Sequence, residues 1–247
     1  MTADSTVGVP SRAAVSLRAL RKRYGRLEVL RGVDLDIAEG RITAIVGPNA
    51  AGKTTLIKSI LGLVRRRDGV IRVGGETVGL DPSYRRGIGY MPQAARFPEQ
   101  LTGTEVLALL RGVRGEAAER DERLIDQLEL RASLPTPVAA MSGGTRQKLN
   151  AAVAFLFRPK LLILDEPTAG LDPVASAVLK DRIKAAPGEG QTVILTSHIM
   201  SEIQELADLV VFLVEGSIRF QGSIASLVER TGEDRLERAV ARMMRES

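Results

Sequence analysis

The residues with the clearest capacity for chemistry form a glycine-rich run that ends in a lysine and a threonine. The run fits the pattern G-x-x-x-x-G-K-[ST] and consists of Gly47, Pro48, Asn49, Ala50, Ala51, Gly52, Lys53 and Thr54. In such a loop the backbone N–H groups surround an anion, the lysine reaches the β- and γ-phosphates of a nucleotide, and the hydroxyl binds Mg²⁺. We therefore expect Lys53 to bind phosphate, Thr54 to bind Mg²⁺ and Thr55 to add a phosphate contact. An ordinary glycine-containing turn is the alternative.

Two acidic residues, Asp165 and Glu166, follow the apolar run Leu161–Leu164. A buried strand over this run would present both acids at the carboxyl edge of a parallel sheet, where α/β proteins bind their ligands. We expect Asp165 to hold Mg²⁺ through a water molecule and Glu166 to polarise the attacking water as a general base. The alternative is a strand-ending turn with two solvated acids.

The single histidine, His198, follows another apolar run, Thr192–Thr196. We expect it at the same sheet edge as Glu166, where it would contact the γ-phosphate and the water; a structural histidine is the alternative. One histidine excludes a multi-histidine metal site. The absence of cysteine excludes disulfides and thiolate metal sites.

The phosphate loop needs a strand before it and a helix after it, and the sequence offers Arg41–Val46 and Thr54–Val64. From Lys160 onward strands and helices alternate, which is typical of βαβ units and a largely parallel sheet. A helical subdomain over about residues 94–158 is predicted as an insertion into this α/β core. Further predicted strands are Val15–Tyr24, Val33–Ile37, Val70–Val73, Gly89–Met91 and Leu209–Val214, and further predicted helices are Ser142–Phe157, Pro173–Ala186, Ile199–Ala207 and the amphipathic Asp234–Arg245.

Composition limits the remaining possibilities. The chain of 247 residues suffices for one large α/β domain or for a core with a subdomain. Its net charge of +5 suits phosphate ligands or an anionic membrane surface, whereas 3% aromatic residues argue against a single-stranded nucleic-acid binder. The N-terminus is not typical of a signal peptide, and the apolar stretches are shorter than the ~20 residues that cross a bilayer. We expect a cytoplasmic protein unless a partner holds it at a membrane.

Several motifs together resemble one family, the nucleotide-binding subunits of ATP-binding-cassette (ABC) transporters. The resemblance covers about residues 15–227. It rests on the phosphate loop, Gln93 after Met91-Pro92, Met141-Ser142-Gly143-Gly144-Thr145, the acid pair, Ala169-Gly170-Leu171-Asp172 and His198. The resemblance implies a P-loop NTPase core with a mostly parallel sheet, an antiparallel β subdomain and an inserted helical subdomain. The predicted domain organisation is a flexible N-terminus (1–13), one ATPase domain (14–230) and a C-terminal amphipathic helix (231–247).

The resemblance also assigns roles to residues outside the phosphate loop. Tyr24 would stack on adenine; a strand-end core tyrosine is the alternative. Gln93 would touch Mg²⁺, take part in catalysis and sense the membrane subunit. The turn Ser142-Gly143-Gly144 would open a helix whose N–H groups cap the γ-phosphate bound to a second copy. Asp172 would lie in the loop that crosses between the copies, so the family pattern implies a head-to-tail dimer with two ATP molecules between its subunits.

Two positions depart from the family pattern. Ala50 stands where the family usually has glycine; if this position needs a positive φ, alanine costs about 1 kcal/mol there. Thr145 replaces the usual glutamine of the signature, and the shorter side chain puts contacts to ribose or across the dimer in doubt.

The leading prediction is an ATP-hydrolysing subunit that acts with Mg²⁺ at the cytoplasmic face of the inner or plasma membrane. Its partners would be a second copy and a separate integral membrane permease, with no nucleic acid. The segment Ser142–Lys148 with Ala154–Phe157 resembles the ATPase of the nitrous-oxide reductase maturation exporter, which would add copper-site assembly and a periplasmic maturation protein. A drug, lipid or polysaccharide exporter ATPase and a soluble non-transport ABC ATPase are the alternatives.

Overall fold

The computed structural model describes residues 12–115 and 118–245. Its strands are β1 (Ala13–Tyr24), β2 (Leu27–Ala38), β3 (Ile42–Val46), β4 (Asp68–Val73), β5 (Glu76–Thr77), β6 (Ile88–Met91), β7 (Leu161–Asp165), β8 (Thr192–Thr196), β9 (Leu209–Val214) and β10 (Ser217–Gly222). Its α-helices are α1 (Lys53–Ile60), α2 (Gly103–Arg114), α3 (Arg123–Gln127), α4 (Gly143–Phe155), α5 (Pro173–Ala185), α6 (Met200–Leu206), α7 (Ile224–Thr231) and α8 (Leu236–Arg245). Short 3₁₀ helices lie at Ser83–Gly87, Arg131–Ser133, Val138–Ala140 and Pro187–Glu189. The flexible N-terminus predicted for residues 1–13 lies, up to residue 11, outside the described residues.

A six-stranded sheet forms the centre of the fold, in the order β10-β9-β3-β8-β7-β6. Its neighbouring strands are parallel except β10, which runs antiparallel to β9. Strands β3, β7 and β8 are buried along their whole length, which explains their continuous apolar runs. Because these three strands are parallel, their last residues Val46, Asp165 and Thr196 lie at one edge of the sheet, as the sequence predicted.

The second sheet is antiparallel, in the order β2-β1-β4-β5. Residues of β1 such as Leu17 and Leu20 share one core with Leu56 and Ile60 of α1 and with Ile163 of the central sheet. Helix α1 is thereby packed in the core that joins the two sheets. The opposite side of the central sheet has its own core, built with α4, α5 and α8.

The predicted helical subdomain begins with two helices, α2 and α3. Thr102 caps α2 by accepting a hydrogen bond from the Glu105 backbone N–H, and the Glu105 carboxylate accepts one from the Thr102 N–H. A small core of Val106, Val138, Met141 and Leu149 joins α2 to the start of α4.

Several predicted element bounds were wrong. Helix α1 ends at Ile60, not Val64, because the chain turns at Gly62 with φ +63°. Strand β10 and helix α7 were not predicted. The amphipathic stripe of α8 is buried against the main core through Leu236, Ala239, Val240 and Met243.

Candidate functional site

The phosphate loop joins the end of β3 to the start of α1, and its two outer glycines occupy positions without room for a side chain. A Cβ atom on Gly47 would lie 2.0 Å from the carbonyl oxygen of Leu213. Gly52 has φ +107°, and a Cβ atom there would lie 3.0 Å from the carbonyl oxygen of Val29. Both glycines are therefore required by the close approach of neighbouring backbone.

Lys53, the first residue of α1, folds its side chain back over the loop. Its Nζ donates to the carbonyl oxygens of Gly47 at 2.7 Å and Pro48 at 3.0 Å. Burial lowers the pKa of Lys53, and the negative charges of Glu166 and Asp165 raise it. The ammonium group is thus held at the mouth of the loop, within electrostatic reach of the acid pair.

The other loop residues differ in their exposure. Asn49 and Ala50 are exposed, Ala51 is buried, and Thr54 is exposed in the first turn of α1 beside half-buried Thr55. Ala50 has φ +62°, so the position where the family pattern has glycine does need the left-handed conformation. Alanine carries strain there.

Asp165 and Glu166 are fixed to the end of the neighbouring strand β8. The buried carboxylate of Asp165 accepts a hydrogen bond from the Thr196 hydroxyl at 2.6 Å. The backbone N–H of Glu166 donates to the carbonyl and hydroxyl oxygens of Thr196, both at 3.1 Å. Glu166 itself has φ +52°. Thr196 had no predicted role, although its position at the end of an apolar run was a usable signal.

His198 lies beside Glu166, at the sheet edge where it was predicted. Its Nδ1 is 2.8 Å from Oε2 of Glu166. The histidine side chain is 74% exposed, whereas that of Glu166 is 14% exposed. The imidazole therefore partly covers the carboxylate and remains open to whatever binds at this edge.

Glu202 on α6 joins the two loops that carry these side chains. Its carboxylate accepts hydrogen bonds from the Thr168 hydroxyl at 2.7 Å and the Ser197 hydroxyl at 3.0 Å. The loop after Glu166 and the loop of His198 are thus held in one arrangement. No motif in the sequence singled out Glu202.

Gln93 is exposed, two residues after the end of β6. The residue before it, Pro92, is anchored by Asn150 of α4, whose side-chain amide donates to the Pro92 carbonyl oxygen at 2.8 Å. Asn150 is buried, so this contact joins α4 to the loop of Gln93 within the core.

The predicted signature turn opens α4, with Ser142 as its N-cap. The Ser142 hydroxyl accepts from the Thr145 N–H at 3.1 Å and lies 2.8 Å from the Thr145 hydroxyl. A Cβ atom on Gly143 would meet nothing within 4 Å among the described residues, and one on Gly144 would lie 3.5 Å from the Gly170 carbonyl oxygen. Among residues 12–115 and 118–245, no hydrogen bond or ion pair joins this turn to the phosphate loop.

Asp172 caps α5 and contacts the signature helix. Its Oδ1 accepts from the Ala175 N–H at 2.8 Å, and its Oδ2 lies 3.1 Å from Nζ of Lys148 on α4. The pKa of Asp172 is lowered, mainly by the hydrogen bond from the Ala175 N–H and to a smaller extent by the hydrogen bond from Lys148. Lys148 had no predicted role.

Tyr24 is the last residue of β1, opposite Leu27 of β2. Its side chain is 46% exposed, so the ring has a face available to a ligand.

The donor set suits a magnesium–nucleotide complex better than a protein-only metal site. Within the described ranges, no group of three or more His, Asp or Glu side chains is arranged to hold a metal ion. Mg²⁺ in nucleotide sites takes one or two protein oxygens and completes its shell with phosphates and water. The Thr54 hydroxyl and the Asp165 carboxylate offer oxygen atoms of this type.

Across residues 12–115 and 118–245, no helix has the length and apolar character needed to span a bilayer.

A family model described as ABC transporter matches residues 30–169, which is more than half of the chain. The daunorubicin resistance ATP-binding protein DrrA3 of Streptomyces coeruleorubidus is 35% identical over 230 residues, covering 91% of this chain and 72% of that protein.

Two further comparisons agree with this match. The lantibiotic transport ATP-binding protein SrtF of Streptococcus pyogenes is 34% identical, covering 83% of this chain and 88% of that protein. A solved structure of the ATP-binding subunit of an ABC transporter is 30% identical, with a TM-score of 0.88 over 93% of this chain and 99% of that one. The arrangement of phosphate loop, parallel sheet and inserted helices is therefore shared with a characterised fold.

Proposed function

This chain is an ATP-binding transporter ATPase of the ABC transporter family, and on that premise we propose that two copies of it hydrolyse Mg-ATP head to tail and drive a separate membrane permease. The observation that carries the proposal is the meeting of four side chains at one sheet edge. Lys53 lies in the phosphate loop after β3, Asp165 and Glu166 end β7, and His198 follows β8.

Lys53 binds the β- and γ-phosphates in this proposal. Its present partners are carbonyl oxygens of the loop, and an ammonium group exchanges these for phosphate oxygens by moving its flexible side chain. The N–H groups of the loop and the N-terminus of α1 supply the remaining positive potential.

Glu166 acts as the general base. It takes a proton from the attacking water, whose oxygen bonds to the γ-phosphorus while the bond from that phosphorus to the β–γ bridging oxygen breaks, giving ADP and phosphate. His198, 2.8 Å from the carboxylate, orients Glu166 and contacts the γ-phosphate.

Thr54 would hold Mg²⁺ directly and Asp165 would hold it through a water molecule, and Gln93 would contact the ion. The bound ion would neutralise phosphate charge. Asp165 is kept in position by the Thr196 hydroxyl, so its carboxylate is oriented before any ligand arrives.

The dimer follows from the placement of the signature turn. Gly143 faces open space among the described residues, and α4 begins there with no acidic residue in its first turn. The N-terminus of α4 is thus available to an anion carried by another molecule, and Ser142, Gly143 and Gly144 cap the γ-phosphate of the second copy. Asp172 lies in the loop beside this turn, where the two copies cross. Tyr24 stacks on adenine.

For the transported substrate we propose export of a drug-like or peptide molecule from the cytoplasmic face of the membrane. Relatives named for daunorubicin resistance and lantibiotic transport support this class. The narrower prediction of nitrous-oxide reductase maturation, with a periplasmic maturation protein as partner, finds no support among these relatives and stays a prediction. A copper-site maturation gene next to this one would favour it, and a drug or peptide permease gene would favour the broader class.

Light scattering on Glu166→Gln, with and without Mg-ATP, tests the shared site. Without the base, ATP persists and a dimer accumulates; Ser142→Arg in the same background prevents pairing but keeps ATP binding. Ala132→Arg adds the same charge at an exposed position of the helical region and is the matched control. A monomer at saturating Mg-ATP, both alone and with the membrane subunit added, contradicts the shared site.

A further inference from the structure

We propose that Lys22 is a positioning residue for the nucleobase: its ammonium group lies on one face of the Tyr24 ring and holds the ring so that adenine stacks on the other face. The inference rests on the proposed nucleotide site and adds to it a residue that sets the strength of base binding.

The contact between the two side chains is direct. Lys22 and Tyr24 are two residues apart on β1. Nζ of Lys22 lies 4.5 Å from the centroid of the Tyr24 ring, which is within cation–π range. Arg23 between them has a different partner and donates to the Arg26 carbonyl oxygen at 3.2 Å.

Lys22 is anchored at its charged end. Its Nζ donates to the Arg65 carbonyl oxygen at 2.7 Å. Arg65 lies beyond the C-terminal end of α1, whereas the phosphate loop lies at the N-terminal end, and eight residues of helix span about 12 Å. The ammonium group is therefore committed to the ring and to Arg65, and a role as a phosphate ligand does not fit this geometry.

The strand segment that carries Tyr24 runs beside the residues that contact the phosphate loop. Lys22 pairs with Leu30 across β1 and β2, and a Cβ atom on Gly52 would lie 3.1 Å from Cδ2 of Leu30. Tyr24 is two residues further along β1 than Lys22, and two residues of a strand span about 7 Å. With 46% of its surface exposed, the ring keeps room for a base while Lys22 occupies one face.

A cation on one face changes what the other face binds. It draws π-electron density towards itself, and the opposite face then stacks more strongly on an electron-rich purine. Because Lys22 is fixed by Arg65, it also limits the motion of the ring before the nucleotide arrives, which reduces the ordering cost of binding.

Calorimetry on the full chain tests the inference with ATP and with inorganic tripolyphosphate, which has no base. Lys22→Met is expected to weaken ATP binding about two- to fivefold and to leave tripolyphosphate binding unchanged. Lys22→Arg restores ATP binding because a guanidinium also stacks on a ring. Arg23→Met removes the same charge one residue away and is expected to change neither affinity. In a Tyr24→Ala background, Lys22→Met has no further effect.

Each other result overturns the inference. If Lys22→Met lost the same affinity for ATP as for tripolyphosphate, Lys22 would be a phosphate contact or a general charge contact. If Lys22→Met and Arg23→Met lost the same affinity for ATP, the effect would likewise be one of general charge. Full ATP affinity in Lys22→Met, with a loss in Tyr24→Ala, would leave base stacking to Tyr24 alone. No loss in Tyr24→Ala would remove the base site and the inference together, while Lys53→Ala separately decides whether the phosphate site exists. Thermal unfolding of each variant verifies that it is folded.

Discussion

Oε2 of Glu166 and Nδ1 of His198 lie 2.8 Å apart although the two residues are 32 positions apart in the chain. The pairing arises because each residue follows a strand of the central sheet and those strands, β7 and β8, are parallel neighbours. The carboxylate is largely covered and the imidazole largely exposed. The proposed general base is thus oriented before the substrate binds, which favours proton transfer to a positioned carboxylate.

Lys53→Ala should weaken ATP binding about 10- to 100-fold, because a charge-assisted hydrogen bond to phosphate contributes about 1.5–3 kcal/mol. Calorimetry measures the change directly. Lys58→Ala, an exposed lysine on the same helix, is the control and should bind ATP like the unaltered chain. An unchanged affinity in Lys53→Ala would count against the phosphate-loop assignment.

Ala50→Gly should raise the free energy of unfolding by up to about 1 kcal/mol, because φ +62° strains alanine more than glycine. Ala51→Gly is the matched control: Ala51 is buried and does not have a positive φ, so the same change should destabilise the chain. Urea unfolding compares the two. A loss of stability in Ala50→Gly would refute the strain argument.

Asp121 makes stability depend on acid pH. Hydrogen bonds from Arg123, whose Nη2 lies 2.5 Å from Oδ2, lower the pKa of this buried carboxyl from 3.8 to about 2, and Arg182 adds a charge at 3.2 Å. The unfolded chain therefore takes up the proton first, so the contribution to stability is full above pH ~4 and disappears as the pH falls through ~2.

Urea unfolding between pH 6 and pH 2 tests this dependence. Asp121→Asn should be less stable at pH 6, because Arg182 loses its buried anion, and its stability should fall less between pH 4 and pH 2. Asp234→Asn, which removes an exposed carboxylate paired with Arg238, should keep the slope of the unaltered chain. The same slope in Asp121→Asn as in the unaltered chain would exclude Asp121 as its source.

The sequence was sufficient for the parts of the fold that local patterns encode. Strands β8 (Thr192–Thr196) and β9 (Leu209–Val214) were predicted with their observed bounds, because buried parallel strands are continuous apolar runs. The shared edge of Lys53, Glu166 and His198 followed from the same reasoning, since each residue comes directly after such a run or shortly beyond it.

Contacts between distant segments could not be predicted. The bond from Thr196 to Asp165 depends on the register of β7 against β8, and the contact of Lys148 with Asp172 depends on how α4 approaches α5. Neither relationship leaves a periodic signal in the chain. Strand β10 was missed because only Phe220 of this edge strand is buried, which leaves no clear apolar pattern.

The role of Glu166 as the catalytic base is tested most directly by steady-state phosphate release in Glu166→Gln, measured together with the affinity of this variant for ATP. Turnover should fall by two or more orders of magnitude while the affinity for ATP is retained, because the base is removed and the phosphate contacts remain. Glu205→Gln, an exposed glutamate paired with Lys180 on the surface, should turn over like the unaltered chain. Turnover of Glu166→Gln near that of the unaltered chain would contradict the assignment of Glu166 as the catalytic base.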